Sequence, residues 1–261
     1  MNTGERPVSG TKETLPSMMQ ETYKMCSTYV KDKAVLDIGC GEGVVDLFLK
    51  DTAREIVGVD VDKETVEKAN HDFIGTNMRF FCMSGEKLSF PDGSFDVAIS
   101  SQSIEHIKDD GAFLKEVSRV LKTSGLFICT TPNKLACVPD GLKPHDSPYY
   151  PFHEREYTPQ QFYALLSKYF SIEKKLCYFN PDRSRKFLNS WRGKLIYRLS
   201  RFKIVRWLAR QLSMGLKNYI LLFMAKDKAL FEDRGTAGCE YNGKLGFEPD
   251  VIGAVCRKIK H

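Results

Sequence analysis

Three glycines at alternate positions, Gly39, Gly41 and Gly43, follow a short apolar run over 34–38 that one acid, Asp37, interrupts. Glycine is needed where a chain turns sharply or lets a ligand touch backbone. A loop of free N–H groups leading into a helix suits a carboxylate or a phosphate. The apolar spacing of residues 44–49 reads as the start of that helix. The ligand this points to is a nucleotide or something of that shape. The dinucleotide pattern G-x-G-x-x-G does not fit, because the third glycine comes one residue early and position 44 is Val. A phosphate loop of the form G-x-x-x-x-G-K-[ST] is absent. A second acid sharpens the reading. Residues 55–60 read as a β-branched strand ending in Asp60, and an acid there can accept both hydroxyls of a ribose. Asp62 behind it reads as the N-cap of a helix over 63–73.

A third group of residues could move a proton. A strand over 95–100 is followed by Ser101, Gln102 and Ser103 and then by Glu105 and His106. His145 lies in a loop over 132–151 rich in Pro, Gly and aromatics, and His153 lies at its end. Loops of that length in compact domains are usually functional. Histidine is the side chain poised to exchange a proton near neutral pH, so these three are the candidate bases. The bland alternatives are that Glu105 and His106 orient a short helix and that the loop histidines are solvated. The eight cysteines are scattered, with no Cys-x-x-Cys or Cys/His cluster at metal spacing. They read as reduced thiols, and no metal site is expected.

These elements must be held by a parallel sheet, and two stretches carry a resemblance to a known family. Residues 35–43, Val-Leu-Asp-Ile-Gly-Cys-Gly-Glu-Gly, resemble motif I of the class I S-adenosylmethionine-dependent methyltransferases, with Asp60 matching their ribose-binding acid. Residues 153–162, His-Glu-Arg-Glu-Tyr-Thr-Pro-Gln-Gln-Phe, resemble the H-x-x-E-Y-T-P-x-x-F element of members that often modify sugars, lipid-linked glycans or other small metabolites. The resemblance implies a Rossmann-like α/β fold: a seven-stranded sheet, helices on both faces, and an antiparallel last strand over 218–226. It implies S-adenosyl-L-methionine as cofactor, held by Asp37, Gly39, Cys40, Gly41, Gly43, Asp60, Val61, Ser84, Gly85, Glu86 and Ser100. Ser84 stands where many relatives carry an acid facing the adenine amino group, so Glu86 or backbone takes that contact. Residues 100–103 lack the Asn/Asp-Pro-Pro-Tyr/Phe signature of base N-methylation. The Glu-His-Ile element of residues 105–107 resembles the quinone and small-molecule O-methyltransferase branch. The expected activity is therefore methylation, at oxygen, of a small-molecule, glycan or lipid-linked acceptor, with His106, His153 or His145 as the base. The alternatives are an RNA methyltransferase and an inactive, cofactor-binding interaction protein.

The charge belongs to one segment. Of 39 Lys and Arg against 33 Asp and Glu, 11 basic residues and no acidic one fall between 183 and 217. The remainder is mildly acidic. Within that segment Leu188, Trp191, Leu195, Leu199 and Phe202 recur at helical spacing, and Val205, Leu208 and Leu212 continue after a break. A basic helix with Trp and Leu on one side has the composition of an interfacial membrane binder. RNA phosphates and a cap packed on the core are the other readings. The expected organisation is a methyltransferase domain over 1–226 with a basic helical insert at 184–213. A C-terminal extension over 227–261 contains one possible helix at 250–259. The apolar run 219–225 is too short to span a bilayer, and residues at the start show no signal-peptide pattern. The expected location is cytoplasmic, with peripheral attachment to an anionic membrane surface.

Overall fold

The computed structural model describes residues 17–179, 191–205, 207, 237–240 and 249–259. In chain order the elements are α1 (Ser17–Ser27), β1 (Ala34–Ile38), β2 (Glu55–Asp60), α2 (Lys63–Asp72), β3 (Met78–Cys82), β4 (Phe95–Ser101), α3 (Asp110–Val120) and β5 (Leu121–Pro132). They continue with α4 (Pro159–Leu166), β6 (Phe170–Phe179), α5 (Trp191–Ser200), β7 (Ala237–Glu240) and β8 (Val251–Lys258). Among the described residues the strands form one sheet in the order β3-β2-β1-β4-β5-β8-β6-β7. Strands β1 to β5 pair in parallel, and β8 runs antiparallel between β5 and β6. This is the expected Rossmann-like seven-stranded arrangement, with β7 added at the edge.

Parallel strands buried on both faces read as near-continuous apolar runs, and β1 is buried at all five positions. Its side chains alternate between two cores. Leu36 and Ile38 join Phe113, Leu114 and Val117 of α3 on one face of the sheet. Val35 joins Tyr23 and Cys26 of α1 on the other. Burying a side chain such as Phe113 stabilises by about 2–3 kcal/mol, and Phe113→Ala would cost roughly 3–5 kcal/mol once the cavity is counted. The helix ends are set locally. Asp62 caps α2 by accepting from the Thr65 N–H at 3.0 Å, and Thr158 with Gln161 forms a capping box around Pro159 at the start of α4.

Three expectations need correction. The segment 250–259 is not a helix: Val251–Lys258 is the antiparallel strand β8, its first six residues all buried. A uniformly apolar stretch with ladder partners on both sides gains more from the sheet than from helical propensity. The span 218–226, expected to supply that strand, lies outside the described residues. Part of the 227–261 segment is thus in the middle of the sheet. The helix after the glycine loop is a single 3-10 turn, Val45–Phe48. Finally, Cys177 is disulfide-bonded, and Cys239 faces it across the β6–β7 ladder. Cysteines at ladder-opposed positions can come close enough to bond, which spacing along the chain does not reveal.

Candidate active site

The sequence-predicted residues collect at the C-terminal ends of β1, β2 and β4, where open α/β sheets bind ligands. Gly39, Gly41 and Gly43 all have positive φ, at 81°, 55° and 72°. A Cβ on Gly39 would lie 2.2 Å from Ser103 Oγ, and one on Gly43 would lie 2.4 Å from the Phe80 ring. Gly39 and Gly43 are thus glycine because protein fills the space. Gly41 differs, since a Cβ there would meet nothing within 4 Å. That open space beside bare backbone is where a ligand can approach. The loop does not present the row of free donors expected from the sequence. The Gly39 and Cys40 N–H groups bond to Val59 O, and the Gly43 N–H bonds to Cys40 O.

Asp60 ends β2 beside this opening, nearly buried. One carboxylate oxygen accepts from the Gly41 N–H at 3.1 Å and the other from the Asp62 N–H at 3.0 Å. These two backbone bonds fix the orientation of the carboxylate beside the Gly41 opening. Val61, next in the chain, is exposed, as is Cys82 at the end of β3. Gly85 is packed against Ile38 and Phe113, where a Cβ would lie 2.8 and 3.0 Å from their side chains, closer than van der Waals contact. Glu86 is already engaged: it accepts from the Asp109 N–H at 2.7 Å and from Ser84 Oγ at 3.3 Å. Ser100 is buried beside Cys129 of the next strand. Gly41, Asp60, Val61 and the 84–86 turn are the residues beside this opening that would hold an adenosyl group.

Asp37 supports the loop from beneath. It is fully buried and accepts the Tyr23 hydroxyl at 2.8 and 3.0 Å. It also faces Asp46, another fully buried carboxyl from the 3-10 turn. Two carboxyls buried close together out of water cannot both ionise at ordinary pH, so at least one is protonated. Burial, partly offset by the Tyr23 hydrogen bond, pushes Asp37 up to about 7, and burial beside Asp37 also pushes Asp46 well up.

The acceptor end is assembled from side chains. Gln102, just after β4, has a left-handed φ of 55°. A non-glycine residue pays a strain cost there, and the turn sends the chain off the sheet into the 3-10 turn Ile104–His106. Glu105 is buried and accepts the Thr131 hydroxyl at 3.0 Å. Its carbonyl accepts from the N–H groups of Glu154 and Arg155. His106 is half-buried, with Nδ1 3.3 Å from Phe152 O. The His153 ring packs edge-on against it at 5.0 Å between centroids. His153 is itself buried and bonds Glu156 Oε1 at 3.0 Å, while Glu156 also accepts from the Tyr149 and Tyr150 N–H groups. Glu105, His106 and His153 each place one possible ligand atom within 4.8 Å of the others, a grouping the sequence spacing did not suggest.

His145 is elsewhere. Its ring lies 4.6 Å from that of Tyr197 in α5, and its Nε2 is 3.1 Å from Tyr197 O. Of the three candidate bases the structure thus brings His106 and His153 together and assigns His145 to packing. Glu156, Thr131 and Gln102 were missed as contributors. Glu156 had a signal, its place in the H-x-x-E element; the other two depend on tertiary contact alone.

A family model described as a methyltransferase domain matches residues 36–129. Over 184 residues the chain is 32% identical to a protein of Mycolicibacterium smegmatis named a probable S-adenosylmethionine-dependent methyltransferase, covering 67% of this chain and 69% of that one. A ubiquinone biosynthesis O-methyltransferase of Bradyrhizobium diazoefficiens is 31% identical over 102 residues, 38% of this chain and 40% of that one. The crystal structure of the Bacillus subtilis protein YcgJ matches with a TM-score of 0.56 at 22% identity, covering 92% of this chain and 99% of that one. The last is a likeness of fold.

Proposed function

The chain belongs to the S-adenosylmethionine-dependent methyltransferases, and within that family we propose that it methylates a hydroxyl of a small-molecule, glycan or lipid-linked acceptor, with His106 as the base. The cofactor supplies a methyl group on a charged sulfur that reacts readily, so most of the protein's task is alignment. A base is useful when the attacking group is a hydroxyl that must lose its proton. The observation that carries the reading is the half-buried His106 ring at the end of β4, held at Nδ1 by Phe152 O and braced by His153. A His106 that donates its Nδ1 proton to that carbonyl keeps Nε2 as its basic nitrogen. His153 is too buried to be the first group an acceptor meets. Its bond to Glu156 makes it a positioning residue for His106. The relative named as a ubiquinone O-methyltransferase supports an oxygen acceptor.

A second reading rests on the Glu105, His106 and His153 grouping. A divalent cation held there would lower the pKa of a bound hydroxyl and replace the base. The test is transfer of labelled methyl from the cofactor into polar and lipid extracts, with and without a chelator. We expect a methyl ether product whose formation survives chelation. Activity restored only by added divalent metal favours the second reading. Label confined to amines overturns both.

A further inference from the structure

The described part of the basic segment is oriented in a way the amphipathic pattern alone did not determine. Helix α5 docks through Tyr197 and Ser200, which are nearly buried. The Tyr197 hydroxyl donates to Lys143 O at 3.0 Å, and its ring packs on His145 and Tyr149. Ser147 Oγ donates to Arg201 O at 3.0 Å. The described apolar residues of the amphipathic row lie outside this contact. Leu195, Leu199 and Phe202, at i, i+4 and i+7, are 46%, 41% and 46% exposed. Ile204 and Trp207 extend the row at 60% and 55%. Arg198, Arg201 and Lys203 are exposed among them, and the Arg201 guanidinium lies 5.0 Å over the Phe202 ring.

A cap packed on the core would bury that apolar row. A solvated basic face would not carry it. An exposed apolar row flanked by cations, within a stretch of 11 basic residues and no acid, complements a bilayer with acidic headgroups. Cations meet the headgroups while the apolar side chains enter the acyl boundary. We propose that Leu195, Leu199, Phe202, Ile204 and Trp207, with Arg198, Arg201 and Lys203, form a docking surface for an anionic lipid bilayer. The surface is joined to the acceptor site. The loop that grips α5 through His145, Ser147 and Tyr149 is the loop whose Tyr149 and Tyr150 N–H groups are held by Glu156, the partner of His153. Docking would therefore set the acceptor site facing the membrane, which suits a lipid-linked acceptor. That last link rests on the proposed function; the docking itself does not.

The experiment is flotation of the full-length protein with phosphatidylcholine vesicles, with and without phosphatidylglycerol, and without cofactor or acceptor, so its outcome is separate from methyl transfer. We expect flotation only with phosphatidylglycerol, a blue shift of Trp207 fluorescence on binding in a Trp191→Phe background, and loss of binding in high salt. Leu199→Ser with Phe202→Ser should weaken binding at least about tenfold while leaving tRNA retention unchanged, because phosphate attraction needs no insertion. Arg198→Glu with Arg201→Glu should also release the protein from vesicles. Both double variants should keep the wild-type melting temperature and cofactor affinity. A variant that fails to fold is replaced by the single exposed substitution Trp207→Ser, for which the same loss is expected. Failure of the wild type to float, equal flotation of the serine variant, or tight tRNA binding without vesicle binding would each overturn the proposal.

Discussion

The carboxylate at the cofactor end and the imidazole at the acceptor end are held by different means. Asp60 is fixed by two backbone N–H groups of its own strand-end turn and the neighbouring loop. His106 is fixed by a carbonyl 46 residues away, by a second histidine, and by a carboxylate behind that histidine. The first arrangement follows from local backbone geometry, with glycines where Ser103 and Phe80 leave no space for a Cβ. The second exists only once the 132–157 segment has folded across the sheet ends. Damage at one end should leave the other intact, and several variants can sharpen or break that contrast.

The largest effect is expected at His106. His106→Ala should lower turnover with a hydroxyl acceptor by about 10²–10⁴-fold, the usual worth of a general base, and erase the limb that histidine titration imposes on the pH–rate profile near neutrality. His153→Ala should cost less, since it removes the brace and leaves the base. If single-turnover rates show both variants within a few-fold of wild type, histidine base catalysis is wrong. Gly39→Ala comes next. It combines a φ of 81° with a contact at 2.2 Å, so thermal melting should report a loss of roughly 2–3 kcal/mol.

The buried acid pair gives a pH prediction of opposite sign to a salt bridge. Asp37 is raised to about 7 and Asp46 is raised as well, both chiefly by burial. Folding therefore favours the protonated forms. Their stabilisation is full below the ordinary carboxylate range near pH 4 and is lost as pH rises through about 7. Asp46→Asn removes one of the two buried acids. It should raise stability at pH 8 by about 1–2 kcal/mol and flatten the decline between pH 4 and 8. Denaturant titrations showing the variant less stable at pH 8 would refute this account of the buried pair. The smallest effect belongs to His145. His145→Ala should cost about 0.5–1.5 kcal/mol through lost packing on Tyr197, with turnover on a soluble acceptor near wild type.

The same contrast explains what could be read along the chain. Gly39, Gly41, Gly43 and Asp60 announce themselves because their roles depend on neighbours close in sequence. So do the caps at Asp62 and Thr158. The α/β class followed from the motif resemblance, but β8 was misread as a helix, since a short apolar run has no period that distinguishes the two. Asp37 carried a motif position, yet its partners Tyr23 and Asp46 come from a separate helix and turn. The His106–His153–Glu156 grouping joins elements almost 50 residues apart, and its two histidines were singled out without their relation. In α5 the face that packs is set by Tyr197 and the 143–149 loop, which amphipathic spacing along the chain does not reveal.

Calorimetry with S-adenosylhomocysteine on wild type, Asp60→Ala and His106→Ala tests the separation of the two ends most directly. Removing the Asp60 carboxylate should weaken binding by about 1–3 kcal/mol, roughly 5- to 150-fold. Removing the His106 ring should leave affinity within about twofold of wild type, since Phe152 and His153 hold it at the acceptor end. Unchanged affinity in the Asp60 variant, or an equal loss in both, would contradict the account.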